Sequence, residues 1–127
     1  MKREIKFRAF LNSKYYAKPR MLSWEELLEQ HNEIDMFQID LMTLMQYTGL
    51  HDKNGHDIYE DDIVRVAGVT DPGMKWVVTW SNASWELHHV LGGNYMNPMR
   101  LGTMSVPIEV VGNIWENPKL LEAAKWH

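Results

Sequence analysis

The sequence predicts a mainly β protein, a β-rich α+β fold. N-terminal strands with a short helix precede a small SH3-like antiparallel β-barrel and a short C-terminal helix. From Tyr47 onward, short β-branched or aromatic runs alternate with turn residues, which is typical of small antiparallel barrels and sandwiches. Helix-start signals occur at Ser23 and Asn117. We therefore expect an N-terminal strand and helix segment, residues 1–43, tightly associated with a barrel domain, residues 44–127.

The first 30 residues are predicted to form strands and a helix. Residues 5–10 alternate apolar and basic side chains, and this period of two indicates a strand with one buried face. Residues 15–21 allow a second strand, although Pro19 confines it to an edge or an end. Ser23 can cap a helix in which Glu26 reaches back to the Ser23 amide, so a short helix follows.

The centre of the chain is interpreted from its turn residues. Residues 36–47 are rich in apolar side chains and fit either a strand pair or a buried helix; we favour extended structure from about Leu44. Asn54 and Gly55 predict a hairpin with a type I′ turn. Residues 60–62 form a second turn, and the β-branched residues after them form a strand.

The second half of the chain continues as strands separated by turns. Turns are predicted at residues 70–73 and 81–84, and strands at residues 75–80 and 85–90. The structure of residues 91–107 stays open. Residues 108–114 form the last strand, and Pro118 occupies the first position of a terminal helix.

The composition excludes several classes of protein. The chain has 127 residues, 45% of them hydrophobic and 24% charged, as in one ordinary globular domain. Because it has no cysteine, a disulfide scaffold, a cysteine nucleophile and a thiolate zinc site are excluded. No apolar run approaches the roughly 18 residues of a membrane span, and the charged start lacks the apolar stretch of a secretory signal. We expect a cytoplasmic protein that has no membrane partner.

The net charge of −4 is unevenly distributed. Residues 1–20 hold seven Lys or Arg and one acid, whereas residues 21–62 hold eleven acids and one base. The basic start either packs beside the acidic segment, in the same fold or in a second subunit, or contacts an anionic partner such as nucleic acid. Since the whole chain is acidic, we rank nucleic acid below protein as a partner.

Three segments of the chain form a pattern of their own. They are REIKFRAF at residues 3–10, LMQYTGLHDKNGHDIYEDDIV at 44–64 and EVVGNIWENPKLL at 109–121. In order and position they span nearly the whole chain, and they resemble the opening strand, the signature hairpin and the closing strand and helix of the YopX family. The family consists of small proteins of bacteriophages and prophages. The resemblance implies a mainly β fold with an SH3-like barrel and a phage origin, but no catalytic residue or ligand.

The chain departs from that family pattern at four positions. Asp61 stands where the family usually has Gly, so a turn with positive φ is harder to form there, although Asp can adopt it. His51 and His56 stand where the family often has Lys, and Trp115 where it has Tyr. Because Lys is tolerated at both histidine positions, the resemblance argues against a metal site built on them.

Polar clusters offer weak candidates for chemistry. The residues between His51 and Asp57 lack the spacing of a calcium loop, so we interpret them as a solvated turn rather than a metal site. The adjacent acids at residues 60–62 are more typical of a solvated turn than of an acid–base pair. His88 and His89 lie in a predicted strand and should point to opposite faces. We predict no catalytic, cofactor-binding or metal-ligating residue and no cofactor.

The aromatic residues are more informative. The chain has six Trp and five Tyr. Trp76 and Trp80 lie four apart in one predicted strand and share a face, and Trp85 follows across a short turn. These three residues belong either to the barrel core or to an exposed face that meets a peptide, another subunit or stacked bases. With Lys6 and Arg8 they make up our candidate interaction surface.

Three hypotheses about function follow. The first is a non-enzymatic module that binds a host or phage protein in the bacterial cytoplasm. The second is a nucleic-acid-associated accessory factor that uses the basic N-terminal residues Lys2, Arg3, Lys6 and Arg8 and the aromatic face. The third is an enzyme of uncharacterised activity, for which no catalytic constellation is visible. Self-association stays open, since the opposite charges of the two ends could pair between subunits.

Overall fold

The chain is described by a computed structural model. It describes residues 4–11, 19–29, 42–68, 74–90, 97–103 and 107–123. The first part of the predicted second strand, the undecided stretch before Met42, the turn at residues 70–73 and most of residues 91–107 lie outside these ranges. The chain splits into two compact units, Met1–Tyr47 and Thr48–His127. The predicted boundary at residue 44 stays a prediction, because one strand, Met42–His51, runs through both positions.

The described residues are mostly strands. The strands are β1 (Phe7–Leu11), β2 (Arg20–Leu22), β3 (Met42–His51), β4 (Asp57–Tyr59), β5 (Asp62–Val66), β6 (Trp76–Ser81), β7 (Ser84–His89), β8 (Met99–Arg100) and β9 (Ile108–Asn113). The helices are α1 (Trp24–Glu29) and α2 (Lys119–Ala123), with a 3-10 turn at Leu101–Thr103. The predicted mainly β class, with a short helix in each predicted place, is confirmed.

The first unit is built on β1, which pairs antiparallel with β2 and with the first half of β3. Its alternation buries Ala9 and Leu11, which form a core with Leu22 and Met42. Helix α1 packs on the same core through Leu27. Strand β3 begins at Met42, so the extended structure predicted from about Leu44 is confirmed, while residues 36–41 lie outside the described residues.

Helix α1 begins with the predicted capping box. The Glu26 amide donates to Ser23 Oγ at 3.2 Å, and the Ser23 amide donates to Glu26 Oε1 at 3.2 Å. Arg20 donates to the other Glu26 oxygen at 2.7 Å. The hydrogen bonds from Arg20 and from the Ser23 amide lower the pKa of the Glu26 carboxyl. A helix of six residues, too short to be stable alone, is thereby fixed at its start.

The turn between β3 and β4 differs from the predicted type I′ turn. The Gly55 amide donates to the Asp52 carbonyl at 3.0 Å, and Gly55 has φ +82°. Asn54 is absent from the positive-φ residues of the described chain, whereas a type I′ turn needs positive φ at both central residues. The pattern is that of a type I turn followed by a left-handed glycine, so the hairpin was predicted correctly and its turn type wrongly.

A type I′ turn occurs instead between β6 and β7. Asn82 and Ala83 have φ +53° and +61°, and the flanking Ser81 and Ser84 are paired. Positive φ at both central residues matches the twist of the adjoining strands. Because neither residue is glycine, the residues at this position predict a turn but not its type.

The second unit contains a five-stranded antiparallel sheet in the order β8-β7-β6-β5-β9. Its core consists of Ile58, Val64, Trp76, Val78, Leu87, Leu101 and Ile108. Five short antiparallel strands around one apolar core are what the alternating runs after Tyr47 predicted.

Two of the residues that depart from the family pattern, Asp61 and Trp115, contact each other. Asp61 has φ +70°, so an aspartate does adopt the conformation that favours glycine. Its Oδ2 accepts a hydrogen bond from Trp115 Nε1 at 2.9 Å, and its carbonyl accepts from the Ile114 amide at 3.1 Å. The turn before β5 is therefore tied to the end of β9 by these two bonds.

Candidate functional site

The three candidate tryptophans occupy different environments. Trp76 is 1% exposed and lies in the core, with its ring edge-on to His89 at a centroid distance of 5.4 Å. Of the two alternatives for Trp76, the structure therefore supports the core. Trp80 is 53% exposed, and Trp85 is partly buried against the core. The aromatic surface thus consists of Trp80 and the accessible part of Trp85.

Trp80 and Trp85 form a cross-strand pair at the turn end of the β6–β7 hairpin. They are directly opposite in the register, and their rings meet edge to face with centroids 4.9 Å apart. Trp80 lies on the same strand face as Trp76 and Val78, as the period of two predicts. It is nevertheless exposed, because the registered pairing of the neighbouring strand β5 ends at Val77 and does not reach Trp80.

The turn end of this hairpin extends past both neighbouring strands. On one side, β5 pairs with β6 only at Trp76 and Val77. On the other, β8 pairs with β7 only at Glu86 and Leu87. Residues 79–85 are therefore beyond the registered pairs of β5 and β8, and we name this segment the hairpin tip.

The hairpin tip carries no charged side chain. Its sequence is TWSNASW, in which hydroxyl and amide groups flank the two tryptophans. A surface that binds nucleic acid usually carries Lys or Arg to neutralise phosphates. Tryptophan with uncharged hydrogen-bonding neighbours is instead typical of protein-binding surfaces.

Lys6 and Arg8 do not form an exposed basic face. The Lys6 side chain is 16% exposed, and its Nζ lies 3.4 Å from Glu4 Oε1 and 4.7 Å from the centre of the Tyr47 ring. Arg8 is half-buried in β1, opposite Met45 of β3. Both residues belong to the first unit, whereas the hairpin tip belongs to the second.

Asp52 has a structural role that the sequence did not indicate. Its Oδ1 accepts from the amides of Asn54 and His56, both at 2.9 Å, and its Oδ2 accepts from the Val110 amide at 3.0 Å. Burial raises the pKa of the Asp52 carboxyl, but these amide donors outweigh it and leave the pKa lowered. The interpretation of this loop as a solvated turn is wrong for Asp52, which is 6% exposed.

The other polar clusters are also occupied by bonds within the fold. His51 Nε2 lies 3.0 Å from Asp57 Oδ1, and the buried Asp62 accepts from the Tyr59 amide at 2.8 Å. His88 bonds to Glu86 at 3.0 Å, whereas His89 is buried in the core, where burial lowers its pKa. The prediction that these two histidines face opposite ways is confirmed.

The described ranges contain neither a cluster of metal-binding side chains nor a membrane-spanning helix. No group of three or more His, Asp or Glu side chains in the described part of the chain is arranged to hold a metal ion. No helix there is long and apolar enough to cross a membrane.

Comparisons with known proteins identify the family. No curated protein matches this sequence. A solved structure described as "Crystal structure of protein EF1440 from Enterococcus faecalis" is 19% identical to the chain, with a TM-score of 0.48. The likeness covers 93% of this chain and 98% of that one. The family model described as "YopX protein" matches residues 6–122, nearly the whole chain. The chain therefore belongs to the YopX family.

Proposed function

We propose that this chain is a non-enzymatic protein-interaction module, encoded by a phage or prophage, that binds a host or phage protein in the bacterial cytoplasm. The contact is made by the hairpin tip. The observation that carries the proposal is the exposure of Trp80, which is 53% accessible and stands on a segment that itself contains no charged residue. Tryptophans at such positions supply much of the binding energy of protein interfaces.

The geometry gives less support to the nucleic-acid alternative. That alternative draws on Lys2, Arg3, Lys6 and Arg8 together with the aromatic face, and the first two lie outside the described residues. Lys6 is paired with Glu4 and covers the Tyr47 ring, so its charge is largely compensated within the first unit. The tryptophans of the hairpin tip have no neighbouring cation in residues 79–85 to contact phosphates.

We propose no reaction for the module. Two of the three adjacent carboxylates at residues 60–62 accept hydrogen bonds that shape turns. Asp61 accepts a hydrogen bond from the Trp115 indole, and Asp62 accepts one from the Tyr59 amide. A catalytic carboxylate pair needs two groups that face a substrate across a cleft.

The proposal is tested by capture from bacterial lysate with tagged full-length chain. We compare the unmodified chain with Trp80→Ser and with a matched control, Leu28→Ser, whose parent side chain is 54% exposed in α1. A protein retained by the unmodified chain and by the control after nuclease treatment, but lost with Trp80→Ser, is the expected result. Equal recovery with Trp80→Ser, or recovery that nuclease abolishes, would contradict the proposal.

A further inference from the structure

The hairpin tip has an open backbone edge beside Trp80. The Val78 carbonyl accepts a hydrogen bond from the Asp61 amide at 2.9 Å, so the backbone groups of Val78 point to the β5 side of β6. Because these directions alternate along a strand, the N–H and C=O of Trp80 point to the same side. Among the described residues, no strand pairs with Trp80 there.

The open edge of β6 lies where β5 would run if β5 were longer at its start. Strand β5 runs antiparallel beside β6 and begins at Asp62, and the chain reaches it through the turn at Asp61. A strand placed beside Trp80 would therefore lie end to end with β5, about 7 Å along β6 from Val78, whose carbonyl accepts from the Asp61 amide. Nothing in residues 79–81 discourages such pairing, since they include no proline, lysine or other charge.

Within the described ranges, the ring contact of the Trp80 indole is with Trp85. Trp85 covers the flank toward β7 with an edge-to-face contact. The opposite flank borders the empty strand position. A side chain from an added strand would pack against that flank, as cross-strand neighbours do in a sheet.

The negative charge of Asp61 beside this edge favours a partner segment that carries a basic residue. The Asp61 carboxylate accepts from the Trp115 indole, a neutral donor, and in the described part of the chain no cation forms an ion pair with it. Its negative charge is thus available to a basic side chain at the end of the added strand. A second copy of the hairpin tip would bring no such cation, because residues 79–85 are uncharged.

We infer that the hairpin tip binds an extended segment of a protein partner as an added β-strand. The segment pairs with the Trp80 backbone, places a side chain against the Trp80 indole and directs a Lys or Arg toward Asp61. This inference rests on the proposed function and adds to it the conformation and charge of the partner segment. Neither the family assignment nor the fold class requires this binding mode.

The experiment is an amide NMR titration of the full-length, isotope-labelled chain with four blocked peptides. The basic peptide is Lys-Thr-Val-Thr-Val, and the acidic one replaces Lys by Glu. The other two are the basic peptide N-methylated at alternate residues, one for each register. We expect the basic peptide to shift the Trp80 amide resonance. The acidic peptide should bind with a two- to five-fold lower affinity, which is the usual effect of losing one exposed ion pair. N-methylation should abolish the amide shift.

The variant Asp61→Asn separates charge from fold. Asn tolerates positive φ and keeps an oxygen for the Trp115 indole, so the turn is retained while the charge is lost. The Trp80 amide should still shift, with equal response to the Lys and Glu peptides. An unresponsive Trp80 amide at millimolar basic peptide overturns the inference, as does a shift on dilution without peptide, which indicates a second copy. If both methylated peptides move the Trp80 indole as much as the basic one, strand addition is refuted while the hairpin tip remains a contact surface.

Discussion

Asp52 offers the sharpest test of how the second unit is held together. Its carboxylate joins the β3–β4 turn to β9, accepting amides from Asn54 and His56 on one oxygen and from Val110 on the other. The substitution Asp52→Asn preserves shape but replaces one acceptor oxygen by an NH₂ group. Because the side chain is buried, the unpaired donor cannot be satisfied by bulk water.

The expected loss of stability can be estimated from these three bonds. If the amide oxygen keeps the two turn donors, each bond weakens by about 1 kcal/mol because its acceptor is no longer charged. The Val110 amide is left facing an NH₂ group, which costs a further 1–3 kcal/mol or so. We therefore expect Asp52→Asn to lower the free energy of unfolding by about 3–5 kcal/mol, a large fraction of the roughly 5–15 kcal/mol of a typical domain.

The assay combines urea unfolding at neutral pH with hydrogen exchange of the Val110 amide. The control is Asp57→Asn, which breaks a partly exposed pair with His51 and should cost under about 1 kcal/mol. In Asp52→Asn the Val110 amide should exchange much faster than in the control. A loss of stability below about 0.5 kcal/mol together with a protected Val110 amide would refute the reasoning, given the magnitudes above.

The same carboxylate gives a pH dependence with a defined sign. The pKa of Asp52 is lowered in the folded chain relative to its ordinary value of 3.8. Its contribution to stability is therefore complete above about pH 3.8 and is lost as the pH falls through the lowered folded pKa. Asp52→Asn should flatten this acid limb of the stability curve, measured by thermal unfolding between neutral and strongly acidic pH.

Three further predictions concern single contacts. Ala83→Gly relieves a positive φ of +61° and should stabilise the chain by about 0.5–1 kcal/mol in urea unfolding, whereas the control Ala67→Gly, where φ is not positive, should not. In a double-mutant cycle, Asp61→Gly and Trp115→Phe should couple by about 1 kcal/mol through their hydrogen bond, and additive effects would contradict that bond. Burial lowers the pKa of His89 from 6.5, so stability should fall as the pH drops from about 6.5 through the folded pKa, and His89→Phe should remove that loss from the thermal-unfolding curve.

The sequence predicted what depends on neighbouring residues. The capping box at Ser23 and Glu26 depends on only four consecutive residues, and the structure contains both of its hydrogen bonds. The alternation in β1 likewise reports its buried face directly. The positive φ at Asp61 could be anticipated because a glycine is usual there in the family pattern.

What depends on distant residues could not be predicted. Asp52 is buried because it bonds to Val110, which lies 58 positions later. The type I′ turn is at Asn82 and Ala83 rather than at Asn54, because strand pairing overrides the local preference for glycine. A residue pattern close to a turn therefore predicts a hairpin more reliably than it predicts the backbone angles within it.

The exposure of Trp80 combines both kinds of information. Period two correctly assigns Trp80 to the face of Trp76 and Val78, which suggests burial. The register shows that β5 ends its pairing at Val77, so the core beneath that face stops before Trp80. The Trp80 side chain thus points to the same face as the core residues of β6 but is exposed to solvent. An added strand beside Trp80 would supply the missing neighbour, which makes the empty position and the exposed indole one feature rather than two.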